Sequence, residues 1–210
     1  MSVNPPIIAL TMRVTGASNY VEPRDSISHD WIAAVRSWGA IPALIPNGLD
    51  NPGGYLDGTG AALLILTGGD DFGSTPERDR TEMALLDQAM KRGLPTLGVC
   101  RGMQIINAKF GGITCPIRGH AATTHTVSFS GFFRTIYGDR ASTNSFHENA
   151  IAGSGLGRGL TPTALDGTDH VEAFHHESAP VAGVMWHPER PGAPAGDCKL
   201  IGRLIGKESA

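Results

Sequence analysis

The chain has 210 residues, 40% of them apolar, and a formal charge of −3. That length closes a substantial core without staples, and the charge balance gives no electrostatic case for nucleic acid or an anionic membrane surface. No apolar run approaches the roughly 18 residues of a membrane-spanning helix, and Met1-Ser2-Val3-Asn4-Pro5 lacks the layout of a signal peptide. The expectation is one cytoplasmic enzyme domain over residues 1–210, with no nucleic-acid or membrane partner. Three widely spaced cysteines, Cys100, Cys115 and Cys198, suggest neither a disulfide framework nor a zinc ribbon, and Cys115 and Cys198 read as ordinary small residues.

Pro6 to Met12 reads as a doubly buried strand, and Ser26 to Trp38 as a helix with Ile27, Trp31, Ala34, Val35 and Trp38 at three- and four-residue steps. Ile41–Ile45 is a second strand, and the Gly- and Asn-rich Asn47–Gly60 reads as a connection. Ala61–Leu66 is an apolar central strand that ends in Thr67-Gly68-Gly69-Asp70-Asp71. A helix from Pro76 to Arg92 stops at Gly93; Pro95–Val99 is the next strand and Arg101–Phe110 the next helix. This alternation predicts an α/β fold, a mostly parallel sheet flanked by helices. Thr124–Ser130, Leu160–Leu165, Val171–Phe174 and Val181–Trp186 read as short strands of a more antiparallel part, before a last helix near Asp197–Ile205.

The most informative junction is Gly98-Val99-Cys100-Arg101-Gly102-Met103-Gln104, where a strand turns sharply into a helix at a cysteine. Such a turn lifts one side chain above the sheet edge, and the helix N-terminus offers free N–H groups and partial positive charge. Both favour a thiolate and can hold an oxyanion. Gly98 and Gly102 let the crowded turn form without Cβ clashes. A cysteine nucleophile needs a base and a group to orient that base. Of eight histidines, His187 has the best claim, because His187-Pro188-Glu189 follows a strand whose end should share a sheet edge with Cys100, and Glu189 is near enough to fix the imidazole. The alternative is a surface turn.

Three segments together, Gly98–Gln104, Gly183-Val184-Met185-Trp186-His187-Pro188-Glu189 and Leu66-Thr67-Gly68-Gly69-Asp70, resemble the class I glutamine amidotransferase superfamily, in particular its γ-glutamyl-γ-aminobutyrate hydrolase branch. Arg78–Glu82, Asn107–Gly112, Asn144–His147, Asp166-Gly167 and Val171–Ala173 match that branch in order, so the resemblance runs from about Ile7 to Arg190. It implies a flavodoxin-like three-layer sandwich. It also implies Cys100 as nucleophile, His187 as general base and then acid, Glu189 as its orienting carboxylate, and N–H groups of Arg101 and Gly69 as an oxyanion hole. Gly68, Gln104, Asn144, Ser145, Phe146 and His147 would bind substrate. The reaction would cleave a γ-glutamyl amide through a thioester, with no cofactor or metal. His120/His125 and His175-His176 lack carboxylate or cysteine partners at ligand spacing.

Departures from the branch pattern fall at Glu148 and Asn149, where a second histidine and a glutamine are usual, at Met185 in place of glutamine, and in the short Gly112–His125 segment. All are expected around the leaving-group side. Tyr20–Ser26 with Trp31, Ile45-Pro46-Asn47 and Met185–Arg190 are similar to a shorter subgroup that hydrolyses a γ-glutamyl-CDP-amidate. Arg13, Arg24 and Arg190 are then candidate contacts to a phosphorylated leaving group, the alternative for each being a surface or ion-paired arginine, while Arg101, next to Cys100, is expected to support the turn through its side chain. The alternatives are a γ-glutamyl-γ-aminobutyrate hydrolase, a glutaminase subunit that delivers ammonia to a partner synthase, and a non-enzymatic ligand-binding relative. The small-molecule substrate is the expected partner, and a homodimer is left open.

Overall fold

The computed structural model describes residues 4–207. Strand β1 (Ile7–Thr11) runs into a two-stranded ribbon, β2 (Arg13–Gly16) and β3 (Pro23–Ser26). The ribbon takes Ser26, the first residue of the expected helix, and Ser28 accepts a hydrogen bond from the Asp30 N–H as the cap, so α1 spans only His29–Ser37. After β4 (Ile41–Ile45) comes α2 (Pro52–Thr59), in a stretch read as a connection. Its four residues of Gly and Pro obscure the pattern. Asn51 caps one end, Gly60 turns left-handed at the other, and Leu56 is fully buried. β5 (Leu63–Leu66), α3 (Pro76–Arg92), β6 (Thr96–Val99) and α4 (Arg101–Lys109) follow as expected.

The second half holds β7 (Cys115–Pro116), β8 (Thr123–Phe129), α5 (Gly131–Tyr137), β9 (Arg140–Ser145), β10 (Asn149–Ala150), β11 (Leu160–Leu165), β12 (Val171–His176), β13 (Val181–Val184) and α6 (Asp197–Leu204). α5 and β9 go beyond the elements expected from the sequence. β9 (Arg-Ala-Ser-Thr-Asn-Ser) carries little apolar signal, and it is fixed by antiparallel pairing with β8 from Thr123↔Ser145 to Ser128↔Arg140.

One nine-stranded sheet results, in the order β4-β1-β5-β6-β13-β12-β11-β8-β9. The first five are parallel and the rest antiparallel. Side chains alternate between two cores: Ile8, Leu10, Leu63 and Ile65 meet Trp31, Val35, Trp186 and Leu200 on one face. Ala9, Leu64 and Leu66 meet Leu56, Leu85, Ile105 and Ile106 on the other. Two-sided burial explains the unbroken apolar runs of the parallel strands. Registers Leu66↔Gly98 and Val184↔Val99 set the carboxyl ends of β5, β6 and β13 level, so the segments leaving them converge on one sheet edge.

Candidate active site

Cys100 is the single residue between β6 and α4, and its backbone sits at φ 52, ψ −106, a left-handed conformation rare for a residue with a side chain. Its N–H donates to Val184 O at 2.8 Å, and its carbonyl accepts from the Gln104 N–H at 3.1 Å. Two glycines make this turn sterically feasible. A Cβ on Gly98 would stand 2.5 Å from Gly102 O, and one on Gly102 would stand 2.0 Å from Leu66 O.

On the neighbouring strand end, His187 is buried, and its Nδ1 lies 2.8 Å from Glu189 Oε1. Cys100 and His187 flank Gly68 from two sides: a Cβ there would meet His187 Cε1 at 2.7 Å and Cys100 Cβ at 3.5 Å. Burial works to lower the His187 pKa, but hydrogen bonds to Cys100 and Glu189 and their negative charge outweigh it and raise the value to about 9. The imidazole therefore keeps its proton at neutral pH.

Asn144, expected to touch substrate, is bonded to the backbone on either side of His187. Its Oδ1 accepts from the His187 N–H at 2.8 Å, and its Nδ2 donates to His187 O at 2.9 Å and Pro191 O at 3.1 Å. Ser145 is also removed from the cavity; its hydroxyl donates to His120 O at 2.5 Å. Both are buried on β9.

The loop after β5 is held from below by a buried charge network that the sequence reading did not assign. Arg78 Nη2 donates to Thr67 O at 2.8 Å and Gly68 O at 3.0 Å, while its Nε donates to Glu82 at 2.9 Å. Arg101 pairs with Glu82 and Asp79, so its side chain supports the turn and its N–H opens α4. Arg78-Asp79-Arg80-Thr81-Glu82 was the available signal: two carboxylates and a cation at three- and four-residue steps on one helix. Gly69 adopts φ +138, open only to glycine, and a Cβ there would meet Arg78 Nη1 at 2.5 Å. Because Gly68 C=O faces Arg78, the Gly69 N–H of the same trans peptide points away from it.

Above these groups lies a cavity of about 420 Å³, lined by Gly69, Cys100, Arg101, Gln104, Phe146, His147 and His187, with Arg13 and Arg190 also on its wall. Glu148, Asn149 and Ala121 line it too, so departures there do border the cavity, whereas Met185 is fully buried in the core and does not. Gln104 Nε2 donates to Asn149 O at 3.0 Å, and Asn149 Nδ2 to Asp71 at 2.9 Å, which ties three sides of the wall together. Arg190 lies 4.5 Å over the Phe146 ring, and Arg13 donates to Asp70 at 2.6 Å. Arg24 corrects the sequence reading. It sits out along the ribbon, opposite Thr15, exposed and bonded to Glu22 and Tyr20, away from the cavity. Asp25 and Asn47 from the same motifs bond each other at 2.6 Å and pin the ribbon to the sheet.

Of the histidine pairs, His176 accepts N–H bonds from Ser178 and Ala179 and so caps a turn. His120 and His125, by contrast, meet His147 and the buried Glu172, a carboxylate partner that linear spacing had not revealed.

The chain that sets this cysteine on a strained strand-to-helix turn, beside a carboxylate-held imidazole, matches the peptidase C26 family over residues 6–189. The chain belongs to the peptidase C26 family. This C26 chain is 29% identical to the γ-glutamyl-CDP-amidate hydrolase of Campylobacter jejuni, across 87% of this chain and 90% of that one. It is 25% identical to the γ-glutamyl-γ-aminobutyrate hydrolase of Escherichia coli O157:H7, across 89% and 87%. A glutamine amidotransferase structure from Thermotoga maritima superposes with a TM-score of 0.64 at 16% identity, covering 89% of this chain and 77% of that one, which shows a shared fold. The family and these hydrolases make the C26 chain a hydrolytic enzyme of the glutamine amidotransferase-like class. Among the described residues no helix is long and apolar enough to cross a membrane.

Proposed function

We propose that this C26 chain hydrolyses γ-glutamyl amides through a thioester on Cys100, with a phosphate-bearing leaving group as its preferred substrate class. The observation that carries the reading is the Cys100–His187–Glu189 arrangement at the floor of the cavity. Cys100 Sγ attacks the γ-carbonyl carbon, and the oxyanion forms against the N–H groups of Arg101 and Gly69. Collapse breaks the C–N bond, with His187 delivering the proton to the departing nitrogen. His187 then takes a proton from the incoming water, which attacks the thioester and releases glutamate, leaving the Cys100 thiolate beside the protonated imidazole. Glu189 holds the imidazole by its Nδ1, leaving Nε2 for the proton transfers.

The phosphate preference is supported by Arg13 and Arg190 on the cavity wall and by the Campylobacter jejuni relative. Arg190 is the stronger contact, because Arg13 is already engaged by Asp70, whereas the Arg190 guanidinium lies against Phe146 with Glu189 3.6 Å away. The test is glutamate release from a panel of γ-glutamyl conjugates, simple amines and nucleotide-linked amidates, with the purified chain alone. Turnover without a partner, fastest on the phosphate-bearing members, is expected. Activity confined to glutamine and dependent on a second protein would overturn it in favour of a glutaminase subunit. Preference for γ-glutamyl-γ-aminobutyrate would overturn the leaving-group part alone.

A further inference from the structure

Behind the cavity wall, three imidazoles converge on one carboxylate. His120 comes from the segment before β8, His125 from β8, His147 from the turn between β9 and β10, and Glu172 from β12. Glu172 is 1% exposed, and neither of its oxygens has a hydrogen-bond partner. Its Oε1 stands 3.7 Å from His147 Nε2 and 3.9 Å from His120 Nδ1, and those two nitrogens are 3.4 Å apart. A point equidistant from all three atoms lies about 2.1 Å from each, the bond length of a divalent zinc-like ion to imidazole nitrogen and carboxylate oxygen.

The outer contacts are those that orient metal ligands. His147 Nδ1 is 3.0 Å from Asn149 O, so it carries the proton and Nε2 presents a lone pair to the cluster. His120 Nε2 lies 3.7 Å from Asp166, which draws the proton to that side and leaves Nδ1 free. His125 Nε2, 3.3 Å from Glu172 Oε2, is the third imidazole nitrogen of the cluster. Two or three imidazoles with one carboxylate suit a borderline transition-metal ion and not magnesium or calcium, which take oxygen donors.

We propose that His120, His147 and Glu172, with His125 beside them, bind one divalent transition-metal ion of the zinc type, which fastens the cavity wall at Phe146–Asn149 to β8 and β12. The ion takes no part in the thioester chemistry, and the proposal is independent of the substrate reading. In the competing arrangement no ion binds, and a proton on His125 balances the buried Glu172.

The test uses the untagged full chain, metal-depleted and then titrated with Co²⁺ and Zn²⁺, in a Cys100→Ser background because Cys100 and His187 could themselves hold a soft ion. One equivalent of Co²⁺ with visible ligand-field bands, displaced by Zn²⁺, is expected. Glu172→Gln and, as a variant less prone to misfold, His120→Ala should each weaken binding by about tenfold or more. Circular dichroism shows whether each variant is folded. Absence of stoichiometric binding to the folded Cys100→Ser chain, or binding that persists unchanged in folded His120→Ala and Glu172→Gln, would overturn the site.

Discussion

At the scale of single residues, the buried His187 is held well above its ordinary titration range. Its pKa is raised from 6.5 to about 9, so the folded chain binds a proton there that the unfolded chain releases between those values. The associated stabilisation is present below pH 6.5 and is lost as pH rises through 9. An NMR titration should show His187 titrating near 9, and Glu189→Gln should move it downward. A midpoint near 6.5 in the wild type would contradict the buried pairing. If Asn144 positions the proposed base, Asn144→Ala should lower kcat by about tenfold or more with little change in KM, since misplacement of a catalytic group costs more than binding. It should also cost about 1–3 kcal/mol in urea unfolding, because the His187 N–H loses its acceptor. A rise in KM with kcat unchanged would return Asn144 to the substrate-contact role that the sequence suggested. In sequence, a motif residue next to a site reads the same whether it faces the ligand or the loop that carries His187.

Among the elements, the β6–α4 turn was legible because its requirements are local. A strand-like run, a cysteine and two glycines two positions either side specify it almost alone. The structure adds why the glycines are needed: Gly102 lies under the carbonyl of Leu66 and Gly98 under that of Gly102. Gly102→Ala should therefore destabilise the chain by about 3 kcal/mol or more by denaturant unfolding. A loss under 1 kcal/mol would mean that the turn relaxes in a way this packing does not allow. α3 was equally legible, with Pro76 at its start and Gly93 at its end. α2 was not, since Pro52-Gly53-Gly54 reads as loop and its stability comes from the Asn51 and Gly60 caps and one buried leucine. The histidine–carboxylate cluster was illegible for a different reason. Its members lie on four segments brought together by antiparallel pairings, and linear spacing carries no record of those pairings.

Across the whole molecule, the site is made where a parallel half-sheet meets an antiparallel one. The parallel strands β5, β6 and β13 deliver the Gly68–Gly69 loop, Cys100 and His187 to one edge, and the antiparallel half supplies the wall at Phe146–Asn149. The alternation of strands and helices foretold the first half; the wall depends on β9, which the sequence barely signals. A net charge of −3 gives no long-range attraction for an anionic substrate, so any phosphate preference must come from the two arginines at the cavity. Arg190→Ala should accordingly raise KM about tenfold for phosphate-bearing conjugates and leave γ-glutamyl conjugates of simple amines nearly unchanged. An equal loss on both would place Arg190 with the triad's support instead.

The central claim is that Cys100 becomes the acyl carrier. The direct measurement is rapid acid quench of the chain during turnover of a γ-glutamyl amide, followed by peptide mass spectrometry. The expected result is one added glutamyl group on the peptide containing Cys100, absent in Cys100→Ser, with glutamate release in that variant down by about three orders of magnitude. Unmodified Cys100 during turnover, together with Cys100→Ser activity near that of the wild type, would contradict the account.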